Sequence, residues 1–356
     1  MKTLELHILQ SFPVSCLNRD DVGAPKTAVF GGVQRARVSS QCWKRAIRMM
    51  AKETASEFFG GDRTRYIIPA LKDALVKEGF DEDAAAKAAE DLVKGGLGKK
   101  DKKHEGAVKT LFYITPMEVE ALASAYCKEQ DVKKKVRTAI QTLRGPVRDK
   151  DDTSIPVHDK ADISIFGRMV ADDHSLTLEG AGMFSHAIST HRVSNEIDFF
   201  TAVDDCNPED IEGVGHMGAN EFNSACYYRY MALNLDLLRS ESHLGCLADE
   251  EFSQVIESFI RAALLAVPHA RKNSMMGFNP PECVLGTVRE GQPVSLANAF
   301  ERTVDAGGDG YIENSVKRMK EKFEWMRDTY GYEPVTALWI PEKSLDNFCR
   351  GLVENV

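Results

Sequence analysis

The chain has 356 residues, 43% of them apolar and 28% charged, and a net charge of −9. That length and composition predict a globular protein with a large core, as one domain with insertions or as two domains. No apolar run is long enough to span a bilayer, the opening Met1-Lys2-Thr3-Leu4-Glu5 lacks an apolar signal core, and eight scattered cysteines form no C-x-x-C pair, so the expectation is a cytoplasmic protein with reduced thiols.

Leu4, Leu6 and Ile8 alternate with Thr3, Glu5 and His7, which predicts a half-buried strand over 2–10. A polar loop follows, Ser15-Cys16-Leu17-Asn18-Arg19-Asp20-Asp21, with Pro13 and Gly23-Ala24-Pro25 marking its turns. Phe30-Gly31-Gly32 reads as a turn where backbone meets another chain closely. Val33 to Val38 predicts a second strand, with Arg35 and Arg37 on one face by the period of two. Ser39 or Ser40 caps the next helix. There Trp43, Ile47, Met50, Ala51, Thr54 and Phe58 share a core stripe, and Lys44, Arg48 and Lys52 form a cationic edge. Residues 1–53 carry nine Lys/Arg against four Asp/Glu.

Residues 61–150 are largely helical and charged. Lys94 to Lys100 reads as a flexible basic break after an alanine-rich helix. Asp131 to Leu143 predicts a helix with Lys133, Lys134, Lys135 and Arg137 on its first turns. Cations there oppose the macrodipole, so the segment is either an anion-binding helix or a solvated one. Residues 94–150 hold fourteen Lys/Arg against seven Asp/Glu, which leaves −21 for the chain outside the two basic stretches. Local field at a groove matters more to a polyanion than the global sum.

Ile163 to Val170 predicts a strand. Ile197 to Val203 and the turn-rich acidic stretch behind it predict a long hairpin or arm. Phe222 to Leu235 predicts a strand, with Tyr227, Arg229, Met231 and Leu233 on one face and Cys226, Tyr228, Tyr230 and Ala232 on the other; the tyrosines read as core. A helix over 248–267 ends at Pro268. A strand at 282–288, helices near 294–304, 311–328 and 343–354, and a strand at 334–340 complete the chain. With insertions removed, the pieces 2–10, 40–59, 162–170, 222–235, 249–266 and 282–288 read strand, helix, strand, strand, helix, strand. The predicted class is α+β, in the ferredoxin-like split β-α-β order.

The nine histidines show no zinc spacing, His186 and His191 read as structural, and there is no G-x-S-x-G or P-loop. Asp20 and Asp21 are either turn residues or, beside a basic RNA site, ligands for a Mg²⁺ that cleaves a phosphodiester. Ser39-Ser40-Gln41 with Lys44, Arg45 and Arg48 places helix-start amides, hydroxyls and cations together. Such a set holds phosphates without reading bases; a capped surface helix is the competing reading.

Several ordered blocks, taken together, are similar to a known family. They are Ser15 to Asp21, Phe30-Gly31-Gly32, Arg37 to Gln41 with Lys44-Arg45, Gly167-Arg168-Met169, His186 to His191, Ile197-Asp198 with Phe200 to Asp205, Tyr228-Arg229-Tyr230, Phe278-Asn279-Pro280 and Ala297 to Phe300. The chain resembles the backbone, major crRNA-binding subunit of the type I-E Cascade CRISPR interference complex.

The resemblance implies a modified RRM/ferredoxin-like palm with a helical fingers insertion and a β-hairpin thumb. The expected parts are palm over 1–54, fingers over 55–160, palm over 161–191, thumb over 192–221, and remaining palm with C-terminal helices over 222–356. It implies a non-catalytic scaffold, without cofactor or metal, whose copies stack head to tail along the guide, each thumb folding over its neighbour's RNA in an antiviral ribonucleoprotein. Expected partners are crRNA, target DNA, further copies of the chain, and the large, small, 5′-handle-binding and crRNA-processing subunits.

The expected RNA-binding set is Arg19, Lys26, Arg35, Arg37, Ser39, Ser40, Gln41, Lys44, Arg45, Arg48, Arg168, Met169, Phe200, Thr201 and Val203. Met169 and Phe200 would flank an everted nucleotide, whose unstacking costs a few kcal/mol; core packing is the competing reading of both. Lys133, Lys134, Lys135 and Arg137 would touch target DNA. Guide pairing would read sequence while protein holds backbone geometry. Two rival readings stay open: a metal-dependent ribonuclease using Asp20 or Asp21, and an assembly protein whose basic stretches bind acidic protein partners.

Overall fold

The computed structural model describes residues 1–144, 158–202 and 216–356. In chain order, the first elements are β1 (Lys2–Ser15), β2 (Thr27–Phe30), β3 (Val33–Val38), α1 (Ser40–Thr54), β4 (Asp62–Thr64), α2 (Ile67–Lys77), α3 (Glu82–Leu92), β5 (Phe112–Ile114), α4 (Pro116–Lys128) and α5 (Val132–Gln141). Then come α6 (Ala161–Phe166), β6 (Gly182–Phe184), β7 (Ala187–Ser189), β8 (Glu196–Ala202), β9 (His216–Asn234), α7 (Leu235–Leu238) and α8 (Asp249–Leu265). The chain closes with α9 (Lys272–Met275), β10 (Cys283–Glu290), α10 (Gly310–Tyr330), β11 (Thr336–Ile340) and α11 (Leu345–Val353). The class is α+β. Among the described residues no helix is long and apolar enough to cross a membrane, and seven cysteines are thiols.

The chain folds into two compact bodies. One comprises residues 1–2, 48–183 and 233–259; the other comprises 3–47, 184–232 and 260–356. In the first, α2, α3, α4 and α5 close on a core that includes Leu71, Leu75, Ala89, Leu92, Leu122 and Ile140. Asp81 caps α3 by accepting the Ala84 amide. Thr115 and Glu118 form a reciprocal capping box on α4, with Pro116 at its first position.

Two expectations fail in this body. Lys94 to Lys100 is no flexible break: Val93–Leu97 is a π-helical turn, and a Cβ on Gly95 would stand 2.1 Å from Val136 of α5. Glycine is what lets the turn dock there. Nearby lysines pair with acids, Lys99 with Asp172 at 3.1 Å and Lys100 with Glu90 at 2.6 Å. Residues 161–166 form the helix α6 instead of a strand, ended by Gly167 at φ 79°. A short, fully buried apolar run carries no periodicity to tell the two apart.

In the second body the sheet runs β11-β10-β1-β9-β7-β3-β2, with β8 paired to β9. The strand expected at 162–170 is replaced in this order by β7, only three residues long. β1 is not half-buried. Its polar residues are buried too, because each has a partner: Thr3 Oγ1 donates to the Arg289 carbonyl, Glu5 accepts from the Tyr230 hydroxyl at 2.6 Å and the Val294 amide at 2.8 Å, and His7 bonds Tyr228 at 2.9 Å. Burial pushes the His7 imidazole down to about 3, so it is neutral. Tyr227, Tyr228 and Tyr230 are core residues, as expected. The helix expected near 294–304 is a 3₁₀ turn, Ala297–Phe300.

That turn explains the two glycines. Gly31 and Gly32, both at positive φ, close the β2–β3 hairpin. A Cβ on Gly31 would stand 1.8 Å from the Glu301 carbonyl oxygen, whereas at Gly32 it would meet nothing within 4 Å. The close approach is thus to a distant segment of the same chain. Gly31→Ala is expected to cost on the order of 3 kcal/mol and Gly32→Ala about 1 kcal/mol. Denaturant midpoints check this, and equal losses contradict it.

Candidate nucleic-acid interface

The loop after β1 is clipped to the start of α1. Asn18 Oδ1 accepts the Ser39 amide at 2.9 Å, and the Asn18 carbonyl accepts the Lys26 amide at 2.9 Å. Asp20 Oδ1 accepts the Val22 and Ala24 amides at 3.0 and 2.9 Å. Asp20 is therefore built into the turn. Asp21 is exposed, and among the described residues no cluster of acids, histidines or thiols could hold a metal ion.

The clipped loop leaves a cleft of about 630 Å³, bounded by Leu17 to Gly23, by Cys42, Arg45 and Ala46 of α1, and by Pro268 to Ala270. Arg19 and Arg45 are exposed on its walls. Burial raises the Cys42 thiol, while Lys26 and Arg45 pull it back, so both cations lie within electrostatic reach of one atom. Among the described residues no carboxylate pairs with Arg19, Lys26 or Arg45. At the start of α1, Ser39 Oγ accepts the Cys42 amide at 3.3 Å. Ser39 and Ser40 are buried, Gln41 is exposed, and Lys44 lies half-exposed with its ammonium 5.2 Å from the Phe184 ring. Arg37 donates from Nε to the Thr27 carbonyl at 3.1 Å and from Nη1 to His186 Nδ1 at 3.2 Å. Desolvation, Arg37 and Lys26 hold that imidazole below its usual value.

One wall escaped the sequence reading. The segment leaving α8 supplies Pro268, His269 and Ala270, and Leu17 packs 3.4 Å from where a Gly277 Cβ would be. Arg271 and Met276 take φ of 49° and 42° on either side of α9, a left-handed conformation rare for such side chains. Burial raises the Cys16 thiol, while Arg271 and Arg19 lower it, so the two guanidiniums converge there from separate segments. The signal in the sequence was Arg271-Lys272-Asn273-Ser274, starting three residues after the helix-ending Pro268.

Arg35 is corrected. It is fully buried, and its guanidinium donates to the carbonyls of Phe30, Ser189, Phe300 and Glu301 at 2.8–3.2 Å. It fastens the hairpin to the 3₁₀ turn, using four of its five N–H groups, and its complete burial keeps it from a ligand. His191 is structural, as expected. Its Nδ1 bonds the Arg192 carbonyl, its Nε2 accepts the Cys226 amide, and its ring stacks on Tyr311 at 3.6 Å.

The β8–β9 ribbon is exposed along all of β8. Phe200 is 38% exposed and faces Gly218 in the register, and a Cβ on Gly218 would stand 2.6 Å from its ring. The glycine gives the ring its seat. Thr201 pairs with Met217, and Ile197 and Phe199 present apolar surface on the other side of the ribbon. Val203 lies outside the described residues.

Residues expected in the site also occur in the first body. Arg48 is buried there, donating to the Gly61 carbonyl at 3.2 Å with its guanidinium 5.5 Å from the Tyr113 ring. Arg168 is corrected as well. It forms a buried pair with both Glu118 oxygens at 2.8 and 2.9 Å and donates to the carbonyls of Tyr113, Leu143 and Leu176. Its neighbour Met169 is 79% exposed at the mouth of a hollow of about 500 Å³ lined by Arg63, Leu111, Tyr113 and Phe166. In α5, Lys133 lies in the first turn, Lys134 pairs with Asp131 at 3.8 Å, and Lys135 lies 5.3 Å from the Tyr126 ring; Lys134 and Arg137 are exposed.

The sequence matches the CT1975-like protein family over residues 4–350. Among solved structures, it is similar to a chain of a CRISPR RNA-guided surveillance complex, pre-nicking, with 30% identity and a TM-score of 0.78 over 99% of both chains. A chain of another CRISPR RNA-guided surveillance complex shares 25% identity and a TM-score of 0.67, over 99% of this chain and 100% of that one. No curated protein matches the sequence.

Proposed function

Because the chain belongs to the CT1975-like protein family, we propose that it is the guide-RNA-binding backbone subunit of a type I-E CRISPR surveillance complex. The cleft carries the reading: Arg19 and Arg45 line it together with Asp20 and Asp21, Lys26 lies beside it, and among the described residues none of the three cations is held in an ion pair. Three cations converging on a groove beside a helix start suit a sugar-phosphate chain, which is held by charge and amides without regard to sequence.

In this reading β10-β1-β9-β7 is the sheet of a modified RRM/ferredoxin-like palm, whose strand order it shares. Residues 55–160 are fingers, and 192–221 are a thumb that lays Phe200 against an unstacked nucleotide. Met169 meets that nucleotide from its other side. Arg37, Gln41 and Lys44 extend the phosphate track, and Ser39 and Ser40 hold the helix start that faces it. Lys133, Lys134, Lys135 and Arg137 face target DNA. Copies polymerise head to tail along the guide, together with the other subunits of the particle, and the chain itself is non-catalytic.

Co-expression with a guide RNA tests this. The chain should co-purify with RNA, its 260/280 nm absorbance ratio well above that of protein alone. A ratio of bare protein contradicts the proposal and favours an assembly role through acidic proteins.

A further inference from the structure

Arg229 sits in β9 on the sheet face toward α1, where a side chain normally earns its place by being apolar. It is 1% exposed, and its guanidinium carbon lies 3.6 Å from the centre of the Trp43 ring. Nη2 donates to the Ala263 carbonyl at 2.6 Å, Nη1 donates to Gln10 Oε1, and Nε finds no acceptor. No carboxylate among the described residues faces it, and burial alone lowers its proton affinity to about 9.

These partners are the roots of the cleft. Trp43 is on α1 between Cys42 and Lys44. Ala263 lies two residues before the end of α8, from which the Pro268–Arg271 wall departs. Gln10 passes the connection on, donating from Nε2 to the Asn279 carbonyl at 2.6 Å, beyond α9. One buried cation therefore joins α1 to both ends of the 266–279 segment. A buried charge without a counter-charge costs stability, and replacing it by an apolar group of similar size removes that cost, which offsets the loss of its two hydrogen bonds.

Resting on the RNA-binding reading above, we propose that Arg229 is a positioning residue whose uncompensated charge is balanced by the polyanion bound over α1 and the Pro268–Arg271 wall. The RNA backbone supplies the missing counter-ion, so occupancy of the cleft and stability of the palm are coupled. At an effective dielectric of about 20, a unit charge roughly 10 Å from a phosphate changes its affinity by roughly tenfold, and a ligand that binds only the folded chain raises its stability by mass action.

The test uses the full-length chain, a fluorescently labelled single-stranded RNA of mixed sequence, and melting curves with and without that RNA. Arg229→Met keeps apolar bulk against the Trp43 ring and removes the charge. It should melt at the wild-type temperature or higher without RNA, bind about tenfold more weakly, and show a smaller RNA-induced rise in melting temperature. Arg229→Lys keeps the charge and should retain most of the affinity. Wild-type binding by Arg229→Met overturns the inference. So does its failure to fold, because the charge would then support the free chain. Equal losses in the Met and Lys variants assign the effect to shape and overturn it too. A wild-type chain that binds no RNA defeats the functional reading itself.

Discussion

Replacing Arg19, Lys26 and Arg45 together by alanine is expected to lower affinity for single-stranded RNA by roughly a hundredfold to a thousandfold. The slope of log affinity against log salt should flatten by about two, since each single-strand phosphate contact contributes roughly 0.7. The loss should be uniform across RNA sequences, because none of the three groups sits where a base edge must be read. The fold should be unaffected, since among the described residues no carboxylate loses a partner. Titrations of labelled RNA at several salt concentrations, with melting curves alongside, check both parts. An unchanged slope would place the phosphates elsewhere.

Arg168 is expected to act in the opposite way. Arg168→Met should destabilise the body containing α2 to α5 by roughly 3–5 kcal/mol, the usual cost of orphaning one member of a buried ion pair. Glu118 would lose the guanidinium that meets both its oxygens, and three carbonyls would lose a donor. Glu118→Leu added to Arg168→Met should recover part of the loss, since two apolar groups leave no lone charge. Denaturant unfolding of the full chain measures this. RNA affinity per folded molecule should not move. An Arg168 variant that folds normally yet loses RNA would return the residue to the binding set.

The contrast between these arginines marks the limit of what the sequence could say. Long amphipathic segments were legible because their periodicity is strong: α1 lies where its apolar stripe places it, and α8 and α10 lie close to the helices expected over 248–267 and 311–328. The ribbon of β8 and β9 was legible from its aromatic run and turn residues. The β1 residues were misread as half-solvated because alternation cannot distinguish water from a buried partner. Glu5 finds Tyr230 and Val294, more than two hundred residues away. Residues 161–166 were too short to declare a period.

The same blindness to distance explains the site. Arg19, Lys26 and Arg45 could be grouped in advance because loop and helix adjoin in sequence. Arg35 and Arg37 differ by one strand repeat, and only the carbonyls of Phe300 and Glu301, near the other end of the chain, decide that one is buried and the other half-exposed. The wall of Pro268, His269 and Ala270 is contributed from more than two hundred residues beyond the loop it faces, and Arg271 next to it acts on Cys16. Nothing in the local pattern announces that meeting.

Ultraviolet cross-linking of the full chain to single-stranded RNA, with cross-linked peptides mapped by mass spectrometry, probes the phosphate track most directly. Cross-links should fall on residues 17–23, on 268–276 and on the Phe200 strand. RNA attached only to peptides of α10 and α11, with those three segments unmodified, would mean that the cleft is not where the guide lies.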